Sequence, residues 1–240
     1  MRHFRKPVAV ADKKGPSGFD PVTAADEAAE RAISRYLARE HPDHGIHGEE
    51  LGVRLGTSGL VWVIDPIDGT KGFLVGSPMW GTLIGLRDGD HPVIGMMNQP
   101  FTGERIWGSA NGSFWRVGEK PARRIRTRAC TSLSDAVLAS THPDMFGAEE
   151  AAAFTRVRQA AKFSRYGGDC YFYALLAAGH IDLVIEAGLK PHDIVALIPI
   201  IEGAGGCITT WSGGPAIGGG RIVASGDPAL HRHVLRMLAT

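Results

Sequence analysis

Residues 62–73 read WVIDPIDGTKGF, and this stretch decides how the rest of the chain is interpreted. Its apolar start predicts a short buried strand, and two aspartates, Asp65 and Asp68, follow where that strand ends. Pro66 stiffens the turn between them, and Gly69 allows the backbone to approach a neighbour closely. The pattern therefore predicts two carboxylates that leave a strand into one tight turn.

The carboxylates of this turn require something that offsets their charge. Two carboxylates within a few ångströms repel each other unless a cation lies between them. Oxygen ligands with open coordination positions suit Mg²⁺, which is usually held by carboxylates together with a substrate phosphate. The alternative is that Asp65 and Asp68 only cap a turn and the following helix. It is less favoured, because Thr70 places a hydroxyl directly behind both aspartates.

The composition is ordinary for a globular protein of the cytoplasm. The chain has 240 residues, of which 44% are hydrophobic and 21% charged, and its formal net charge is +1. This balance gives no reason to expect a nucleic-acid or membrane partner, and no apolar run approaches the roughly 20 residues of a membrane span. The three cysteines show no CxxC spacing, which argues against a disulfide framework or a zinc site and fits a reducing, cytoplasmic location.

The periodicity predicts an α/β (α+β) chain with two subdomains, residues 1–120 and residues 121–240. In the first subdomain a helix packs on a largely antiparallel sheet, and in the second the strands alternate with helices. The predicted helices cover residues 21–40, 149–162, 170–178, 193–202 and 228–238, the fourth of them kinked or interrupted at Pro199. The predicted strands cover residues 61–64, 81–86, 93–98, 105–110, 136–140, 181–185, 207–211 and 221–225.

Two further acidic positions are ambiguous when taken singly. Glu49 belongs to the triplet GEE at residues 48–50, and most glutamate pairs lie on the solvated surface. Asp193 opens an otherwise apolar helix, where N-capping is the ordinary role of an aspartate.

The order of these motifs resembles a known family. The apolar run followed by DPIDGT is the hallmark of the inositol monophosphatase-like, Mg²⁺-dependent phosphatases. DPVTAAD at residues 20–26, GEE at residues 48–50 and EGAGG at residues 202–206 follow the family order, so the resemblance covers nearly the whole chain. It implies a layered αβαβα sandwich and a homodimer. Relatives usually carry one more N-terminal helix before the segment equivalent to residues 5–7, and this sequence shows no counterpart of it.

The resemblance also implies a ligand set for two or three Mg²⁺ ions. Glu49, Asp65 and the carbonyl of Ile67 would hold one ion. Asp65, Asp68 and Asp193 would hold a second, and Glu49 would share a third.

Catalytic roles follow from the same resemblance. The N–H groups of Gly69 and Thr70 would bind the phosphate at a helix start. Thr70, oriented by Asp26, would help Glu49 to position and deprotonate the attacking water. Lys14 would lie in a loop that covers the site.

The segment 164–193 bears on the substrate, because its wording resembles the histidinol-phosphatase branch of the family. Histidinol phosphate presents an ammonium and an imidazole, so Asp169 and Glu186 are expected to bind its cationic or donor end. Asp169 could also simply N-cap helix 170–178, a role that is compatible with substrate binding. A ligand role is favoured for Glu186, because an unpaired buried carboxylate is costly.

The sequence thus predicts a histidinol-phosphate phosphatase of histidine biosynthesis. The alternatives are an inositol-1-phosphate or broader sugar-phosphate phosphatase of the same family, and a metal-binding or regulatory protein that kept only the fold. The intact carboxylates argue against the last. His231 and His233 are expected to face solvent, and the aromatic residues 171–173 are expected to belong to the core and to an interface, and not to form a substrate cage.

Overall fold

The computed structural model describes residues 1–7, 10–12 and 21–239, without the side chains of residues 21 and 22. Lys14, predicted to lie in a covering loop, is outside the described residues. The helices are α1 (Ala24–Glu40), α2 (Thr70–Leu74), α3 (Ala148–Ala160), α4 (Asp169–Ala177), α5 (Pro191–Ile194), α6 (Leu197–Gly203) and α7 (Pro228–Leu238).

The strands form one large sheet, a second sheet of five strands, and a separate short pair. They are β1 (Val10–Asp12), β2 (Pro21–Thr23), β3 (Gly45–Gly48), β4 (Gly52–Arg54), β5 (Leu60–Asp68), β6 (Gly81–Asp88), β7 (His91–Gln99), β8 (Glu104–Ser109), β9 (Gly112–Val117), β10 (Arg123–Ile125), β11 (Val137–Ser140), β12 (Phe163–Tyr166), β13 (Leu183–Leu189), β14 (Cys207–Thr210) and β15 (Gly220–Ser225).

The first sheet has the order β10-β9-β8-β7-β6-β5-β3-β4. Its neighbouring strands are antiparallel except for β3 and β5, which run parallel. The prediction of a largely antiparallel sheet is therefore confirmed. The second sheet has the order β12-β11-β13-β15-β14, with parallel pairs on either side of β11 and antiparallel pairs on either side of β15.

The layers alternate between helices and sheets. Helix α1 packs on β3 and β5, helices α4 and α6 lie between the two sheets, and α3 packs with α7, which lies on β15. The predicted αβαβα sandwich is confirmed. The first sheet includes β10, which lies just beyond the predicted boundary at residue 120, and the largest buried cluster draws residues from both halves. The division into two subdomains stays a prediction.

A row of glycines explains why the helix layer comes so close to the first sheet. Gly85, Gly95 and Gly108 are register partners on β6, β7 and β8. A Cβ atom on Gly95 would lie 1.8 Å from the carbonyl oxygen of Ala196, and one on Gly108 would lie 2.3 Å from that of Pro199. Because no side chain intervenes, the backbone around α6 rests directly on the strands, and the preceding α5 is held over the end of β5.

The predicted helix 193–202 is divided differently from the expectation. Helix α5 ends at Ile194 and α6 begins at Leu197, so the interruption precedes Pro199 instead of falling on it. Pro199 lies in the first turn of α6, where its missing N–H removes no intrahelical hydrogen bond. The prediction of a break at Pro199 was wrong for this reason.

The N-terminal segment is anchored by an aromatic contact. The ring of Phe4 lies 5.3 Å from that of Phe73 on α2 and 5.4 Å from that of Trp80. Within the described residues α1 is the first helix. None of the helices in the described part of the chain combines the length and the apolar character that a membrane crossing requires.

Candidate active site

The turn after β5 presents two carboxylates on one side because the strand carries a bulge. Asp65 pairs with Leu83 and Asp68 pairs with Gly81, so three steps along β5 match two steps along β6. In a regular strand, residues three apart point to opposite faces, and one extra residue brings them to the same face. The N–H of Ile67 donates to Asp65 Oδ1 at 3.0 Å, and Thr82 Oγ1 donates to the carbonyl of Pro66 at 2.8 Å. The bulge is thus held by one hydrogen bond within the turn and by one from β6.

A third carboxylate reaches this turn from the middle helix layer. Carboxylate oxygens of Asp65, Asp68 and Asp193 all lie within 4.8 Å of one another. Asp65 is only 2% exposed, while the other two keep partial contact with solvent. Asp193 Oδ2 also accepts the N–H of Lys190 at 2.7 Å, which fixes the side chain at the start of α5. The structure therefore brings together the three predicted aspartates.

The electrostatics of this cluster favour a cation. Burial raises the pKa of Asp65 well above its usual range, and the charges of Asp68, Glu49 and Asp193 raise it further. The pKa of Asp68 is also raised well above its usual range, first by burial and then by Asp169 and Asp193. Hard oxygen donors that repel one another in a partly open site match the preferences of a divalent cation such as Mg²⁺. The residues present fit that group.

Glu49 stands beside the cluster at the end of β3. Its backbone N–H donates to the carbonyl of Ile64, one residue before Asp65, at 3.1 Å. His192 Nε2 lies 3.9 Å from Glu49 Oε1 and 3.4 Å from Asp193 Oδ1. Burial lowers the pKa of His192, although both carboxylates act in the opposite direction. The imidazole is therefore a neutral neighbour between two acidic groups near neutral pH.

The Gly69-Thr70 turn starts α2, and its hydroxyl is held differently from the expectation. Gly69 has a left-handed φ of 85°, which glycine adopts without strain. Thr70 Oγ1 donates to the carbonyl of Ile67 at 3.0 Å. Asp26 instead accepts the N–H and the hydroxyl of Thr23, at 2.9 and 2.6 Å, as part of a capping box at α1. Within the described residues the hydroxyl proton of Thr70 is therefore donated to Ile67 and not to Asp26. The orienting role of Asp26 stays a prediction.

Asp169 does not cap its own helix, so the N-capping alternative is wrong. Gly168 occupies the N-cap position of α4 and Asp169 is the first residue of the helix, while the N–H of Cys170 donates to Asp68 Oδ2 at 2.7 Å. Asp169 has a φ of 44°, and its Cγ would lie 3.1 Å from a Cβ on Gly69. Burial raises the pKa of Asp169 to about 6, while the ammonium of Lys71 acts to lower it. The backbone of Asp169 is therefore in the left-handed region, and its carboxyl group lies directly against the Gly69-Thr70 turn.

Glu186 is more fully paired than its sequence context indicated. It is 2% exposed and accepts from the N–H of Thr141 at 2.9 Å, from the hydroxyl of the same residue, and from Tyr173 at 2.8 Å. Burial raises the pKa of Glu186 to about 7. The argument that this buried carboxylate lacks a structural explanation was therefore wrong. Its contact with substrate stays a prediction.

Two residues outside the predicted set are also informative. His231, expected to face solvent, is only 5% exposed and hydrogen-bonded to Ser225 and Thr209.

Glu30, on α1, is completely buried and was not singled out by sequence reasoning. The available signal was its position one helical turn after Asp26, which places both acids on one face. The expectation that Phe172 and Tyr173 are core residues is confirmed.

Two curated phosphatases are similar to most of this chain. Bifunctional phosphatase IMPL2, chloroplastic, of Arabidopsis thaliana is 44% identical over 248 residues, which cover 99% of this chain and 70% of the plant protein. Histidinol-phosphatase of Streptomyces coelicolor is 37% identical over 226 residues, which cover 91% of this chain and 84% of that protein.

A solved structure and a family model indicate to which family the chain belongs. An inositol monophosphatase from Zymomonas mobilis matches with a TM-score of 0.85 at 38% identity, covering 99% of this chain and 90% of that one. The model described as the inositol monophosphatase family matches residues 1–239. The chain therefore belongs to the inositol monophosphatase family of phosphatases.

Proposed function

We propose that this protein is a Mg²⁺-dependent phosphomonoesterase that hydrolyses histidinol phosphate to histidinol and phosphate. The observation that carries the proposal is the placement of Asp169. Its carboxyl group lies against the Gly69-Thr70 turn, beside the cluster of Asp65, Asp68 and Asp193. An acidic group next to a phosphate site favours a phosphate ester that also carries a positive charge.

The metal ligands of the proposed site are the clustered carboxylates. Asp65, Asp68, Asp193 and Glu49, with the carbonyl of Ile67, would hold two or three Mg²⁺ ions. When bound, such ions neutralise phosphate charge, activate water and stabilise the leaving oxygen. The protein's main contribution is then to fix the geometry of these oxygen ligands.

The remaining steps belong to the chain's own groups. The N–H groups of Gly69 and Thr70 would hold two phosphate oxygens, and the hydroxyl of Thr70 would orient the attacking water. Glu49 would accept one proton of that water as its oxygen forms the new bond to phosphorus. The ester P–O bond would then break, and the departing alkoxide would take a proton from a solvent water, whose hydroxide is neutralised by the proton that Glu49 releases.

Charge in the substrate pocket supports histidinol phosphate over a neutral ester. Burial raises the pKa of Asp169 to about 6, so much of this group is ionised at neutral pH. Its charge also acts on Glu186, so the two acids share one electrostatic environment. An ammonium or imidazolium would stabilise this environment, whereas the hydroxyls of an inositol ring carry no charge for it to pair with.

A second candidate is an inositol-1-phosphate phosphatase. It is favoured by the match to the Zymomonas mobilis inositol monophosphatase over 99% of this chain. The buried acids are the feature that it leaves unexplained. In both cases a homodimer, implied by the resemblance, stays a prediction that sedimentation would test.

One assay distinguishes these candidate functions. Phosphate release is measured on histidinol phosphate, inositol 1-phosphate and fructose 1,6-bisphosphate, each with Mg²⁺ and with excess EDTA. We expect kcat/KM for histidinol phosphate to exceed the others by about tenfold or more, the value of one charge-assisted hydrogen bond. Equal rates on all three esters would leave only a general phosphatase, and no release on any ester would leave a metal-binding or regulatory protein.

A further inference from the structure

The backbone at Glu49 and at the two residues after it is held by three hydrogen bonds. Its own N–H donates to Ile64 on β5 at 3.1 Å. The next two N–H groups, of Glu50 and Leu51, donate to Glu30 Oε2 at 2.8 Å and to Glu30 Oε1 at 2.9 Å. Three consecutive amides at residues 49–51 therefore have fixed partners, and one side chain supplies two of them.

Glu30 also accounts for the glycine of the GEE triplet. A Cβ atom on Gly48 would lie 1.8 Å from Glu30 Oε1 and 2.4 Å from its carboxyl carbon. Glu30 is 0% exposed, so its carboxyl group cannot turn away into solvent to make room. The glycine at this position is required by the close approach of the carboxyl group.

We propose that Glu30 is a positioning residue, which sets the location of Glu49 relative to Asp65 and thereby the geometry of the metal site. The inference deepens the proposed function and rests on it for the role of Glu49. Glu30 is held on helix α1, and its carboxyl group accepts the hydrogen bonds that fix the turn after Glu49. The N–H of Glu49 joins that turn to Ile64, the residue before Asp65. Ligand carboxylates supported in this way hold metal more tightly, and loss of the supporting group typically costs about ten- to a hundredfold in affinity or activity.

The primary variant is Glu30→Gln, because it keeps the size of the side chain. Both carboxyl oxygens of Glu30 accept N–H groups, and an amide offers only one acceptor and turns its NH₂ toward the other donor. Gly48→Ala is an independent variant that displaces the same carboxyl group by steric contact. Glu30→Asp withdraws the carboxyl group by one methylene, so the double variant Glu30→Asp/Gly48→Ala should lose no more than the worse single variant.

Asp182→Asn serves as the matched control. Asp182 is also 0% exposed and accepts a backbone N–H, that of Val137, at 2.8 Å, together with the guanidinium of Arg128. Asp182 precedes the first residue of β13, whereas Glu186 follows later on that strand and Asp193 lies beyond it. This variant should therefore lower the unfolding temperature without affecting metal binding.

The experiment titrates Mn²⁺ into each protein without substrate, follows free Mn²⁺ by electron paramagnetic resonance, and records unfolding temperatures alongside. Phosphatase kinetics on histidinol phosphate with varied Mg²⁺ accompany the titration. Glu30→Gln and Gly48→Ala should each weaken Mn²⁺ binding and raise the Mg²⁺ concentration for half-maximal activity by about tenfold or more. Asp182→Asn should change neither.

The proposal is overturned if Glu30→Gln loses thermal stability but binds Mn²⁺ as tightly as Asp182→Asn does. If Glu30→Gln does not fold, Gly48→Ala gives the same test, and normal Mn²⁺ binding by that variant overturns the proposal as well. If the wild-type protein binds Mn²⁺ but releases no phosphate, the proposed function is refuted and the role of Glu30 is not. The comparison of Mn²⁺ affinities would still decide the role of Glu30.

Discussion

The backbone N–H of Cys170 donates a 2.7 Å hydrogen bond to Oδ2 of Asp68. A carboxyl group on the first sheet thus caps the helix α4 in the middle layer, and Asp169 is released from the capping role that its position predicts. The link also makes the site one unit, because movement of α4 would shift Asp68 within the acidic cluster. Substrate selection and metal binding are therefore expected to be coupled.

The substitution Asp169→Asn tests substrate selection. It should lower kcat/KM on histidinol phosphate by about ten- to a hundredfold, since a charge-assisted hydrogen bond is worth about 1.5–3 kcal/mol. Activity on glycerol phosphate should change little, because that ester offers no cation. The unfolding temperature should not fall, because Asp68 and not Asp169 caps α4.

The control for this variant is Asp144→Asn, whose side chain is 86% exposed. It should behave as wild type on both esters. If Asp169→Asn loses activity equally on histidinol phosphate and glycerol phosphate, the role of Asp169 in recognising a cation is refuted.

The substitution Asp65→Asn tests the acidic cluster. Activity should be abolished, while the metal-free protein should be as stable as wild type or more so, because burial and three neighbouring carboxylates already disfavour the charge of Asp65. Added Mg²⁺ should raise the unfolding temperature of wild type and not of the variant, since a ligand that binds only the folded state stabilises it. Scanning calorimetry with and without Mg²⁺ measures both effects. Near-normal turnover by the variant at the same Mg²⁺ concentration would contradict the shared-ligand role.

The substitution Thr70→Ala separates alignment of water from binding. The hydroxyl of Thr70 is now held by the carbonyl of Ile67 at 3.0 Å, so it is pre-oriented at the edge of the cluster. Alignment of the attacking water matters mainly in the transition state, and kcat should fall by about a hundredfold with KM nearly unchanged. Steady-state kinetics on histidinol phosphate measure both constants, and Thr102→Ala is the control at an exposed threonine of the β7–β8 turn. A change confined to KM would show that Thr70 only binds the substrate.

How much the sequence could predict depended on the range of the interactions involved. Asp65, Asp68 and Thr70 follow one another within a few residues, and local turn chemistry was sufficient to predict them as a group. The bulge that turns both aspartates to one side depends on pairing with β6, which no local pattern encodes. The partners of Glu186 likewise come from Thr141, far away in the sequence, and from Tyr173 on another element. Sequence periodicity therefore could not predict the bulge or the partners of Glu186.

The misplacement of His231 had a different origin, because the local signal was present. Leu230, Val234 and Leu238 are buried at steps of four along α7, and His231 precedes Val234 by three. Residues three and four apart share one face of a helix. The position therefore indicated burial, and the polar character of histidine was given too much weight against it.

The burial of His231 gives a pH prediction that is independent of the metal site. Burial, assisted by the charge of Arg232, lowers the pKa of His231 to about 4 from an ordinary 6.5. Above pH 6.5 the imidazole is neutral in both the folded and the unfolded chain, and its full contribution to stability is present. As pH falls from 6.5 to about 4, the unfolded chain gains a proton that the folded chain does not, so the free energy of unfolding decreases. In His231→Gln, which keeps hydrogen-bonding groups toward Ser225 and Thr209, this part of the decrease should vanish.

Urea unfolding at a series of pH values measures the effect. From pH 7 to pH 4, the unfolding free energy of wild type should decrease by on the order of 2 kcal/mol more than that of His231→Gln. His233→Gln is the control, because His233 lies two residues further along α7 and is exposed, and its pH dependence should follow that of wild type. Parallel pH profiles for wild type and His231→Gln would mean that His231 titrates alike in the folded and unfolded chains. That result would rule out its burial as a neutral imidazole between Ser225 and Thr209.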